Sequence, residues 1–341
     1  MSSASQLSIE KTTCKRMLWL DWMKTLAMFF IILGHFFPTG SEYIYIFSVQ
    51  CFFIISGFLD KKEDSNKTFW RKIWTNLYLP MLLVCSINYI FYKLPLSLLS
   101  EHTYSVIDTL KVLLGFVFGL HSSLGGMWFV LVLIILKITY QYLPANKYLY
   151  GFLFVLFPLC SVFINNYLLD FQFLGISIFK INNAGFEILL AFPFFFCGIF
   201  LKKYRKQIND FSNIEKILCL LSISLSVFML CGHYNNIVFM YANQYGNNIF
   251  LFLLGGFTGT FFIYFVSKIL QRFNFKTVQT ISKGCILILA FHWNIQHLFK
   301  NFLPQSSALQ WLYSFIILLA FIPVIQITNK YFPVLLGSRK L

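Results

Sequence analysis

Three ionisable side chains, Asp21, Lys24 and His35, interrupt the otherwise apolar run LDWMKTLAMFFIILGHFFP at residues 20–38. A charged group near the centre of a bilayer costs about 2.5–3.5 kcal/mol on insertion scales, so such residues usually face a protein interior or a water-filled cavity. Lys24 and His35 are 11 residues apart, about three helical turns and roughly 16 Å, which puts them on one face of a helix. Asp21 precedes Lys24 by three residues and joins the same stripe. Imidazole titrates near neutrality and can take a proton from an alcohol as that alcohol attacks an acyl carbonyl. A cation three turns away could hold an anionic donor. A structural reading stands beside this one: Asp21 and Lys24 as an interfacial ion pair, and His35 as a packed histidine bonded to a neighbouring carbonyl. Asp21 lies about 21 Å from His35 along a straight helix, too far for a dyad, so Lys24 or a neighbouring helix is its expected partner.

The elements that must position these groups are membrane spans. The 341 residues are 58% hydrophobic and only 11% charged, with a mean hydropathy of +0.71, which no water-facing surface accommodates. The expected fold is all-α, a polytopic helical bundle forming one membrane domain over residues 1–341, with tails at 1–16 and 329–341. Ten spans are expected, near 17–37, 43–59, 73–92, 125–143, 148–164, 185–201, 216–232, 247–266, 280–299 and 308–328. The segment 103–121 contains Asp108, Lys111 and two glycines and is expected to be re-entrant or to lie on the surface. The first span has no small-residue cleavage site and is expected to be retained. With both termini cytoplasmic, the outer loops hold only Lys93, Lys111, Lys180 and Lys300 of 27 basic residues. That skew is the positive-inside rule, so the net charge of +15 reads as membrane topology and not as a nucleic-acid surface. Seven of the eight cysteines lie in apolar segments without CxxC or Cys/His spacing, which argues against disulfides and a metal.

The pattern Leu20, Asp21, Lys24 and His35 resembles the first-helix signature of membrane-bound acyltransferase family 3, the integral-membrane O-acyltransferases that modify bacterial surface sugars. Further blocks follow in family order. FFIISGFL (Phe52 to Leu59) resembles the second helix, and the basic loop with Arg71 and Lys72 leads to Pro80 as in the family's approach to helix three. MWFVLVL (Met127 to Leu133) resembles the Trp-Phe opening of helix four, which adds Trp128 to the donor-binding candidates. FPFFFCGIFLKK (Phe192 to Lys203) and ISKGCILILAFHWNIQHLF (Ile281 to Phe299) resemble later family helices. Two positions depart from the pattern. Lys24 replaces the usual arginine, so bidentate anion recognition becomes a point-charge contact, and Asn76 stands where a second arginine is expected.

The resemblance implies a cell-membrane (inner, cytoplasmic) acyltransferase. It would take an acyl group, commonly acetyl, from acyl-coenzyme A in the cytoplasm and pass it to a hydroxyl of a carbohydrate or its lipid-linked precursor outside. Lys24, Arg71 and Lys72 would offset the donor's phosphates, and His35 would activate the hydroxyl or carry the acyl group. Glu187, near the outer face, could orient His35 or contact the sugar, and is as readily an interfacial cap. His292, mid-span beside Trp293, is a second candidate, with a satisfied packing histidine as its structural reading. The Tyr- and Asn-rich stretch 233–247 suits sugar recognition and equally an interfacial belt. The rival is a transporter or flippase, since a ten-span bundle with midplane polar groups also describes secondary transporters. Paired repeats and helices broken at matching places, which would favour it, are not visible in the sequence.

Overall fold

The computed structural model describes residues 16–95, 106–118, 124–168, 172–173, 176–177 and 186–337. The tail with Cys14, the flanks of the 103–121 segment, Lys180, Arg339 and Lys340 lie outside the described residues, as do the side chains of Lys93, Asp108 and Lys111. What is described is an all-helical polytopic bundle, with one two-residue antiparallel pairing of Gln172–Phe173 with Ile176–Ser177.

Helix α1 runs over Leu18–Gly34, α2 over Ser41–Tyr45 and α3 over Ser48–Leu59. After α4 (Asn66–Ile73) come a wide π turn at Trp74–Tyr78 and α5 (Leu79–Asn88). Pro80 has no N–H to give the carbonyl of Asn76, and Gly337, at φ +62°, packs against that carbonyl so closely that a Cβ there would lie 2.3 Å from it. Helix α6 is described over Val106–Phe118, 13 residues bounded on both sides by positions outside the described residues. Then follow α7 (Trp128–Tyr142), α8 (Lys147–Phe163), α9 (Ile188–Lys202), α10 (Arg205–Asp210), α11 (Ile214–Tyr234) and α12 (Ile249–Leu270). The chain closes with α13 (Lys276–Lys283), α14 (Cys285–Phe302) and α15 (Ser307–Tyr331). Asn146, Asn213, Asn248 and Ser306 cap α8, α11, α12 and α15 through their side chains, each satisfying an otherwise orphaned N–H.

Seven helical stretches among the described residues are long and apolar enough to cross a membrane. Of the ten expected spans, those that fall outside this set are α1 with 17 residues, α9 with 15 and the more polar α14. One expected boundary moves. The span expected at 280–299 breaks at Gly284, so that polar α13 is a separate helix before α14. The span expected at 43–59 is the stretch Ser41–Leu59, with a turn at Ile46 and Phe47 between α2 and α3.

Helix α1 is the hub: it packs on α2, α3, α12, α13, α14 and α15. Helices α3 and α9 meet backbone to backbone. A Cβ on Gly57 would sit 1.9 Å from the Phe195 carbonyl, and one on Gly198 would sit 2.1 Å from that of Ile54, the small-residue contact of membrane helix pairs. The end of the bundle that holds the start of α1 is basic and tied by polar bonds. Lys137 pairs with Asp60 at 2.6 Å, Lys72 with Glu63 at 2.7 Å, and Lys202 donates to the Asp60 carbonyl. Lys268 caps the C-terminal end of α10 by donating to the carbonyls of Ile208 and Asn209.

Candidate functional site

The four residues Lys24, Met28, Ile31 and His35 follow one face of α1 at helical spacing. Met28, Ile31 and His35 line a cavity of about 110 Å³ closed by Val49 and Phe52 of α3, Leu77, Trp128 and Phe129 of α7, and Cys285, Ile286 and Leu289 of α14. The stripe is therefore charged only at its ends and apolar between them, because Met28 and Ile31 separate Lys24 from His35. Of the cavity's side chains only those of His35, Trp128 and Cys285 carry a polar N–H or S–H group. Lys24 lies one helical turn before Met28 on that face of α1.

His35 is the C-cap of α1. Its ring makes no hydrogen bond among the described residues and is held by rings alone: Trp293 edge-on at 4.8 Å, His292 at 5.1 Å and Tyr45 at 6.1 Å between centroids. Both imidazole nitrogens remain available to a substrate. His292 is 1% exposed, and its Nδ1 lies 2.8 Å from the Ile288 carbonyl. A carbonyl only accepts, so Nδ1 carries the proton and Nε2 is left as a lone pair. That Nε2 is buried without a partner, which leaves the packing reading of His292 half met.

Asp21 does not pair with Lys24. Arg16 takes it bidentately, Nε to Oδ2 at 2.6 Å and Nη2 to Oδ1 at 3.0 Å, a fork geometry that an ammonium cannot match. Lys24 is left without a hydrogen bond or ion pair among the described residues. Arg71 is likewise unpaired there and exposed, whereas Lys72 is engaged by Glu63, whose carboxyl this hydrogen bond holds below the usual range. Trp128 lines the cavity and is 9% exposed. Glu187 is fully buried just before α9 and lies close to Tyr245, whose hydroxyl it pushes upward after burial has done most; α9 itself packs on α3, α7 and α8.

Four residues at the site do not stand out in the sequence. Lys300, an outer-loop charge by its position in the chain, lies in the last turn of α14 and donates to the His35 carbonyl at 2.6 Å. Tyr45 donates to the Gly34 carbonyl at 3.1 Å, Gln296 to that of Ile32 at 3.3 Å, and Trp293 packs on the imidazole. The signal is present nonetheless: Cys285, Leu289, His292, Trp293, Gln296 and Lys300 recur at three- and four-residue steps along one face of α14. In the 233–247 stretch, many polar groups bind the loop to itself: Asn235 donates to the Tyr245 carbonyl, Asn236 to Asn247 and Tyr245 to Asn243. Phe239 of the same loop reaches Phe37 and Tyr45 beside the site.

The geometry joins along one helix an imidazole, an apolar chamber and a lysine that has no ion pair among the described residues. Comparison with known proteins finds no curated protein and no solved structure that matches the chain. A family model described as an acyltransferase domain, that of acyltransferase family 3, matches residues 17–330, from the residue before α1 to the end of α15. The chain belongs to acyltransferase family 3 and is a membrane acyltransferase.

Proposed function

We propose that this protein takes an acyl group, acetyl by preference, from acyl-coenzyme A at its basic, cytoplasmic end and transfers it to a hydroxyl of a surface carbohydrate or its lipid-linked precursor. The observation that carries the reading is that one apolar cavity has His35, Trp128 and Cys285 on its wall and is lined on the α1 side by Met28 and Ile31, which lead back along the same helix face to Lys24. An anionic carrier held at Lys24 and Arg71 could extend a thioester arm along the cavity past Trp128 to the imidazole.

His35 takes the proton of the acceptor hydroxyl as its oxygen bonds to the acyl carbon. The carbon–sulfur bond breaks, and the departing thiolate recovers the proton from the imidazolium. His292, fixed by its bond to the Ile288 carbonyl, packs beside the His35 imidazole at 5.1 Å and helps to hold it in place. The apolar walls keep water from competing for the thioester. The test supplies purified protein with labelled acetyl-coenzyme A and a surface glycan. Labelled glycan is expected from the parent and not from His35→Ala, and undiminished transfer by that variant would remove His35 from the mechanism.

A further inference from the structure

We propose that the acceptor site is built for a sugar bearing an anionic group, carboxylate or phosphate, on the ring whose hydroxyl is acylated, with Lys300 as its counter-charge. The inference rests on the functional reading above and names the substrate class of the same site. Lys300 Nζ gives one N–H to the carbonyl of His35 at 2.6 Å, which fixes a positive charge within one residue of the base. Its other N–H groups have no acceptor among the described residues, and no carboxylate there comes within ion-pairing distance. Its surroundings are rings, with Phe37 at 5.2 Å, Phe36 at 5.9 Å and Trp293 at 6.0 Å from the ammonium. Rings compensate a cation only weakly. At the opposite end Lys137 and Lys72 each have a carboxylate. A partly enclosed ammonium with open N–H groups is a place for an anion.

The walls of the mouth suit a sugar. Phe37 is 47% exposed and Trp293 42% exposed, so their faces are open beside the charge. Phe37 holds this position at φ +56°, a left-handed conformation that a bulky residue adopts only under constraint and that concentrates at ligand clamps. A pyranose lying on these rings with its charge at Lys300 would bring a neighbouring hydroxyl to His35. The competing role for Lys300 is structural, as a cap on the last carbonyls of α1.

The experiment compares a glucuronate-containing tetrasaccharide with its carboxyl-reduced counterpart, and glucose 1-phosphate with methyl glucoside, at low and high ionic strength. Parent protein should transfer labelled acetyl to one charged member with kcat/KM about tenfold above its neutral partner, the worth of one charge-assisted hydrogen bond, and lose that preference in salt. Which pair shows the preference distinguishes carboxylate from phosphate. Lys300→Gln keeps an N–H for the His35 carbonyl and should erase the preference through KM, while Lys300→Arg should retain it. Equal use of charged and neutral members by the parent, or an equal fall for both in Lys300→Gln, would overturn the proposal. Binding followed by tryptophan fluorescence separates the two readings. Lys300-dependent binding of the charged sugar without any acetyl transfer would sink the functional reading and leave this site standing, and transfer blind to charge would do the reverse.

Discussion

The rings of His35 and His292 lie 5.1 Å apart, and only one of them is tied to the backbone. His292 is fixed by its bond to Ile288, whereas His35 is steadied by Trp293 and Tyr45 and keeps both nitrogens open. The free ring is the better proton acceptor for a substrate, and the fixed ring sets its surroundings. His35→Ala should therefore lower acetyl transfer by about 10²–10⁴-fold, the range of a lost general base. His292→Ala should lower it less. Equal rates in parent and His35→Ala, measured with labelled acetyl-coenzyme A, would contradict this division.

The partner of Asp21 decides what a change at Lys24 will do. Since Arg16 holds the carboxylate, Lys24→Ala orphans no buried charge. It should leave thermal stability close to the parent and raise KM for acetyl-coenzyme A about tenfold. Arg16→Ala should behave oppositely, lowering the melting temperature because a carboxylate only 10% exposed loses its counter-ion, with little change in KM. A melting curve and a KM series on the two variants check the contrast.

Much of this arrangement could be read from the chain, and the reason the rest could not is physical. Hydropathy reports transfer from water to lipid, so the helices that carry it, from α3 to α15, were visible as apolar runs. Spacing alone put Lys24 and His35 on one face. The same spacing puts Met28 and Ile31 between them, but it does not show the apolar chamber that α3, α7 and α14 close around those two side chains. Nor does spacing assign partners across the bundle. Arg16 and Lys300 look like topology charges in the sequence; Arg16 clamps Asp21 from five residues before it, ahead of α1, and only the crossing of α1 with α14 makes Lys300 the cap on His35. The break at Gly284 is similar. A Cβ there would lie 2.2 Å from the Ile325 side chain of α15, a constraint from a residue 41 positions away.

Glycine contacts give a stability prediction of opposite signs. Gly57→Ala or Gly198→Ala would drive a methyl into backbone across the α3–α9 seam and should destabilise by about 1–3 kcal/mol or more, since neither helix can yield locally. A methyl on Gly151 of α8 would meet nothing within 4 Å, so Gly151→Ala should stabilise by up to about 1 kcal/mol through helix propensity. Thermal melts in detergent read both.

The loop after α3 carries a pH-dependent tie. Hydrogen bonding to Lys72 lowers the Glu63 carboxyl below its ordinary value, so this contribution to stability is complete above the unfolded-state pKa of about 4.3 and is lost as pH falls through the lower folded value. Glu63→Gln should remove that acid-side loss and leave the neutral-pH profile flat. A melting temperature that falls equally for parent and variant as the pH is lowered from about 5 to 3 would assign the dependence to other groups.

The cavity itself can be tested without touching an ionisable residue of α1. Cys285 lines it, and its thiol contacts the carbonyls of Ile281 and Ser282 in α13, the helix before its own. Cys285→Phe would fill much of the roughly 110 Å³ that a thioester arm must enter. Transfer should fall by at least tenfold, about 1.4 kcal/mol. Cys285→Ala removes the thiol but keeps the space, so it should retain transfer, which separates room from sulfur chemistry. Cys219→Phe, at an exposed position of α11, controls for added bulk. If the filled variant melts like the parent and still acylates the glycan at the parental rate, the donor reaches His35 by some route other than this chamber.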